Sequence, residues 1–181
     1  TIATVGFAGA IYLAGILPFV PFLLVLPLAC IQIYFDGSRK SRGLLPELFG
    51  SVTISSSSAA ILLAGGFGWP AALSLWLVML LRLIPSIMYV RNRLKLEKGK
   101  PFSRLAVLLA HSAAVIIAAV LAYTNGTSIL VALVMIFLLY RAANGLSPNR
   151  RKLKAMKIGI LEVVYGVVTV LAIIIGYYSG I

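Results

Sequence analysis

Long apolar runs separated by short polar breaks make up the chain, and the lengths of those runs predict its elements. A helix needs about 20 apolar residues to cross a hydrocarbon core of about 30 Å. Residues 46–66, 69–91, 104–123, 127–145 and 157–179 each reach that length. Residues 1–35 are also apolar, but as one helix at about 1.5 Å per residue they would run about 52 Å, too long for a single crossing. Gly15, Pro18 and Pro21 supply a break, because proline removes a helix hydrogen bond and disfavours helix before it. The reading is a first helix ending near Gly15 and a second over 17–35. Alternating ten-residue segments, the mark of a membrane β-barrel, are absent. The predicted fold is all-α, a polytopic transmembrane bundle of about seven helices in one domain over residues 1–181. The chain begins at Thr1 without Met or a basic leader. The expectation is therefore an incomplete first helix in a fragment lacking N-terminal helices, and not a signal peptide.

Composition agrees with the pattern. The 181 residues are 61% hydrophobic and only 11% charged, against about a quarter charged in soluble domains. Charge changes the picture through its placement. Of 16 Lys and Arg, all but Arg82 fall in three clusters, Arg39/Lys40/Arg42, residues 91–104 and residues 141–157. A nucleic-acid footprint lies on a folded polar surface. Here the bases end apolar runs, so nucleic acid is excluded and anionic lipid headgroups are the expected partners. Counting crossings puts all three clusters on one side, and the opposite connections, Gly65-Gly66-Phe67-Gly68 and Thr124-Asn125-Gly126-Thr127, carry no base. The positive-inside rule makes loops 36–45, 91–104 and 141–157 cytoplasmic in a multi-pass protein of the cell membrane. The single cysteine, Cys30, allows no intrachain disulfide and reads as a small buried hydrophobe.

Polar groups inside apolar spans are costly, so they mark candidate sites. Arg82, Ser86, Tyr89 and Arg93 recur at steps of four, three and four and so share one helical face. Arg82 lies about 13 Å deeper than Arg91 along the helix, and Pro85 is expected to kink that helix. Arg82 reads either as a functional guanidinium or as one that snorkels or pairs with a carboxylate. Glu47, Ser51, Ser55 and Ser58 form a second stripe, suited to a cavity wall or to close helix packing. Glu47 also sits well for the helix dipole. Glu162 precedes Tyr165 and Thr169 on one face; His111 lies two turns into its span, as packing residue or site member; Asp36 closes its helix. Arg82, Glu47, Glu162, His111 and Asp36 are the candidates to converge on a polar cavity. With 16 bases against four acids, external anions are the expected counter-ions, and Arg suits phosphate bidentately. The chain has no phosphate-binding glycine loop, no His/Cys ligand set, no Ser-His-Asp spacing, and one Asp. No metal site is read from it.

The segment Tyr34-Phe35-Asp36-Gly37-Ser38-Arg39-Lys40-Ser41-Arg42-Gly43-Leu44-Leu45-Pro46-Glu47-Leu48-Phe49-Gly50 resembles the YwiC-like family of bacterial membrane proteins. So does 82–94, with its Arg-x-x-Pro and Tyr-Val-Arg-x-Arg-Leu pattern. That family is distantly similar to the UbiA superfamily of intramembrane prenyltransferases, in which Tyr-Pro and Lys-Arg end one helix and Pro and Gly open the next. Tyr34, Arg39, Arg42, Pro46 and Gly50 are comparable. The resemblance implies a UbiA-like helical arrangement, of which this chain covers the later two-thirds. Residues 89–98 would then take the place of the second Asp-rich motif, which helps bind Mg²⁺-diphosphate. Bases stand there instead. Mg²⁺ is implied only if an Asp-rich motif lies upstream of Thr1, and Arg91 and Arg93 become candidates to hold a diphosphate directly.

Three functions follow as expectations. The first is a prenyltransferase-like protein binding an anionic lipid or isoprenoid phosphate through Arg82, Tyr89, Arg91, Arg93, Arg39 and Arg42. Its cavity would be lined by Asp36, Glu47, Ser51, Ser55, Ser86, His111 and Glu162. The second is a transporter or permease component for a small anion, with Arg82 as its intramembrane site. The third is a non-catalytic structural subunit whose basic loops dock lipid or a partner.

Overall fold

The structure, a computed structural model, describes residues 2–38 and 43–180, without the side chains of residues 2, 3 and 7. Among the described residues it is all-α, with no strand. The helices are α1 (Ile2–Ala14), a 3₁₀ turn (Leu17–Phe19), α2 (Val20–Gly37), α3 (Leu44–Ala64), α4 (Trp69–Glu97), α5 (Arg104–Tyr123), α6 (Ile129–Gly145) and α7 (Ala155–Ser179). The break in the first apolar run falls where Gly15, at φ +72°, and Pro18 stand. Five segments are long and apolar enough to cross a membrane: Leu17–Gly37, Leu44–Ala64, Trp69–Glu97, Arg104–Tyr123 and Ala155–Ser179. They make this a multi-pass membrane protein. α6, at 17 residues, is shorter, about 26 Å at 1.5 Å per residue.

α4 outlasts its expected end by six residues, reaching Glu97. The added turns, Asn92-Arg93-Leu94-Lys95-Leu96-Glu97, include strong helix formers, and Arg93 and Glu97 pair at i,i+4. Pro85 lies inside the helix without ending it. Polar caps start two of the later helices. Ser103 Oγ accepts from the Ala106 N–H at 3.2 Å, and Ser128 Oγ accepts from the Leu130 N–H at 3.0 Å. Asn125, at φ +56°, and Gly66, at φ +81°, make the left-handed turns between α5 and α6 and between α3 and α4.

The fold comprises two compact units, one through Leu80 and one from Leu81. In the first, α2 packs on α3, and Ala59, Leu63 and Ala72 are buried with Leu62, Trp69 and Trp76 against them. The serine stripe of α3 is spent locally. Ser51, Ser55 and Ser58 donate to the carbonyls of Leu48, Val52 and Ser55, the short-range bonding that Ser makes within membrane helices. Ser55 also accepts from Trp76 Nε1 at 3.0 Å. Cys30, expected inside, is exposed on α2. A thiol is apolar enough to face lipid, so an apolar neighbourhood in sequence does not separate interior from lipid face.

In the second unit α5 and α6 pack antiparallel and α7 lies against α6. Its core joins Tyr89, Val107, Ala142 and Leu146, with Met88, Val90 and Leu96 packed on them.

Candidate functional site

The site is built where the C-terminal half of α4 meets α6, α7 and loop 146–154. Ser86, Tyr89 and Arg93, one face of α4, are all turned inward and buried. Arg82 on the same face keeps only 13% of its side chain exposed. The stripe read from the sequence is thus an interior stripe.

Two carboxylates each gather two guanidiniums. On the first, Glu162 of α7 accepts from Arg141 Nη1 of α6, and its other oxygen lies 3.8 Å from Arg82 Nη2. Arg82 also donates to the Glu162 carbonyl at 2.6 Å. Gly166 leaves room for this approach, since a Cβ there would stand 3.3 Å from Arg82 Nη2, a tight contact. On the second, Glu97 lies 2.9 Å from Arg93 Nη2 and 3.3 Å from Arg150 Nε. Arg93 is 2% exposed and donates to the carbonyls of Gly145 and Arg151. It therefore pins the last residue of α6 and the middle of the connection to α7. Through these bonds the second and third basic clusters come together at one end of this unit.

Arg141 is enclosed by aromatic rings. Its guanidinium carbon sits 4.1 Å from the ring centre of Tyr89 and 4.9 Å from that of Tyr165, both within cation–π range. Tyr89 in turn packs edge-on to His111, ring centres 6.5 Å apart, and fills the space a Gly145 side chain would occupy. His111 Nδ1 donates to the Val107 carbonyl at 2.9 Å. His111 Nε2 and Ser86 Oγ are buried and find no hydrogen-bond partner among the described residues.

A cavity of about 490 Å³ opens among these groups, within the size range of small-molecule sites. Arg93, Arg141, Arg150 and Arg151 line it against one acid, Glu162; Tyr89, Phe137, Tyr140, Leu153, Ile158, Leu161 and Tyr165 give it aromatic and aliphatic walls. Arg93 and Arg141 are buried, whereas Asn149 and Arg151 are exposed, so the basic lining runs from interior to surface. Such a lining matches an anionic head joined to an apolar body.

Of the residues singled out in the sequence, Tyr89, Arg93 and Glu162 line the cavity. Arg82 stands behind Glu162 as its second partner, the structural pairing that was one of its two readings. Arg93, read as a phosphate-binding candidate, directs its terminal nitrogens to the Gly145 and Arg151 carbonyls and to Glu97. Arg91 is half-buried. Asp36, Glu47, Ser51 and Ser55 belong to the first unit, where Asp36 accepts from Gln32 Nε2 at 3.2 Å. Arg39 and Arg42 lie outside the described residues. Among the described residues no three of His, Cys, Asp and Glu gather as metal ligands.

Sequence reasoning missed Arg141, Glu97 and the separate importance of Arg150 and Arg151. Arg141 was grouped with a loop although it lies within the predicted span 127–145. An Arg and a Glu placed singly in neighbouring apolar helices were the available signal. No protein-family model, no curated protein and no solved structure matches this chain.

Proposed function

We propose that this protein is a cell-membrane protein that holds an anionic lipid or isoprenoid phosphate by its head, in the cavity of the second unit, at the cytoplasmic face. The observation that carries the reading is the lining itself: four guanidiniums against one carboxylate, beside aromatic and aliphatic walls, in about 490 Å³. Arg93 and Glu97 shape the wall, while Arg141, Arg150 and Arg151 are the side chains available to an oxyanion. Basic loops at a membrane surface concentrate anionic lipid beforehand, at about 1 kcal/mol per base.

The resemblance to YwiC-like and UbiA-like proteins supports the same reading. Bases stand where those enzymes carry Asp, which favours a phosphate held directly by guanidinium. The function proposed is binding; the resemblance alone does not supply a reaction.

Native mass spectrometry of the purified chain tests it. Wild-type protein is expected to retain anionic lipid, and Arg150→Gln with Arg151→Gln to retain about tenfold less. Equal retention by both proteins contradicts the proposal.

A further inference from the structure

Arg141 has one edge that the protein leaves unused. Nη1 is given to Glu162, and the guanidinium rests against the rings of Tyr89 and Tyr165. Among the described residues Nε and Nη2 find no hydrogen-bond partner, and both atoms are buried, in a side chain only 8% exposed. Those two nitrogens carry the parallel N–H pair of the side-on edge, the geometry that takes two oxygens of a phosphate or carboxylate at once. Charge points the same way. Arg82 and Arg141 share the single carboxylate of Glu162, so one positive charge remains uncompensated inside an apolar unit, where an unpaired guanidinium is costly.

Arg141 also lines the cavity, together with Arg150 and Arg151. Of the three, only Arg141 is buried, whereas Arg151 is exposed. Nε and Nη2 are themselves buried atoms, so an oxyanion that reaches them has to carry its oxygens at the tip of its molecule. A phosphodiester carries a substituent on each side of its phosphorus and does not meet that demand.

We infer that Arg141 is the anchor of the cavity and takes a terminal oxyanion, a phosphate monoester or a carboxylate, through Nε and Nη2. Arg150 and Arg151 draw anions toward the cavity without distinguishing their kind. The inference rests on the cavity being an anion site, as proposed above, and adds which chemical class is held and by which residue.

The test is a titration of the full chain in detergent, followed by native mass spectrometry for lipids and by thermal shift for inorganic phosphate. Dioleoyl phosphatidic acid and oleate present a terminal oxyanion. Dioleoyl phosphatidylglycerol presents a diester, with the same single charge as oleate. Phosphatidic acid and oleate are expected to bind at least tenfold tighter than phosphatidylglycerol. Arg141→Lys, which keeps the charge and loses the side-on edge, should remove that preference by weakening the first two about tenfold. Should Arg141→Lys fail to fold, the Arg141→Gln/Glu162→Gln pair removes both charges together and should show the same loss of preference.

Equal binding of all three lipids to wild type, with loss on Arg150→Gln/Arg151→Gln, overturns the inference and leaves the proposed function standing. Unchanged preference in the Arg141 variants also overturns it. Binding of inorganic phosphate alone, lost in Arg141→Lys, upholds the anchor and overturns the lipid reading. Binding of no lipid and no phosphate overturns both.

Discussion

Glu162 on α7 accepts a hydrogen bond from Arg141 on α6, joining two helices through the only acid that α7 contains. The same carboxylate faces Arg82 of α4 at 3.8 Å. One side chain therefore ties three helices of the second unit together, and the charge left over defines the interior of the cavity.

Removing that acid should be severe. Glu162→Ala leaves two largely buried guanidiniums without a counter-ion, and breaking a buried pair in this way costs about 3–5 kcal/mol. The expected result is a fall in apparent Tm of roughly 10 °C in detergent. Unfolding at the wild-type temperature would show that the three-helix tie is not made.

Tyr89 and Gly145 should be energetically coupled. A Cβ at Gly145 would overlap the Tyr89 hydroxyl and stand 2.8 Å from its Cε2. Gly145→Ala is therefore expected to destabilise by about 1–3 kcal/mol. Tyr89→Phe removes the hydroxyl, so the double variant should recover about 0.5 kcal/mol or more of that loss. Strict additivity in a double-mutant cycle counts against the contact.

Arg93 should govern the order of the connection from α6 to α7. Its two carbonyl bonds hold Gly145, the last residue of α6, and Arg151, in the middle of that connection. Arg93→Gln is expected to raise hydrogen exchange across residues 146–154 by about tenfold or more, the loss of a charge-assisted bond. Arg93→Lys should rescue little, because a single ammonium does not reproduce the guanidinium fork. Exchange at the wild-type rate in Arg93→Gln would refute the pinning role.

Topology yields a further expectation. With Cys30→Ser as background, single cysteines at Lys98 and Lys152 should react with an impermeant maleimide from the same side of the membrane, the cytoplasmic one. Labelling from opposite sides would overturn both the orientation and the assignment of the cavity to the cytoplasmic face.

Much of the fold was legible because the lipid solvent imposes a length on each apolar run. The ends of α5, the break at Gly15 and Pro18, and the inward stripe from Arg82 to Arg93 all follow from spacing within one helix. What depended on partners between helices was not legible. Arg141 and Glu162 lie 21 residues apart, and Glu97 and Arg150 lie 53 apart; no local periodicity connects them. The serine spacing of α3 suited either a cavity wall or close helix packing, and it could not show that these hydroxyls donate to neighbouring carbonyls of their own helix. Cys30 showed that apolar sequence does not tell core from lipid face when both solvents are apolar.

The most direct test of the central claim is the site at which an anionic lipid docks. A photoreactive phosphatidic acid carrying a diazirine near its head would be crosslinked to the full chain in phosphatidylcholine nanodiscs, and the adducts mapped by peptide mass spectrometry. Adducts should concentrate on Tyr140, Asn144, Ser147 and Leu153 in the cavity and fall about tenfold in Arg150→Gln/Arg151→Gln. Adducts spread over outward-facing Val163, Val167 and Ile174 in proportion to their exposure, and unchanged in the variant, would contradict the account.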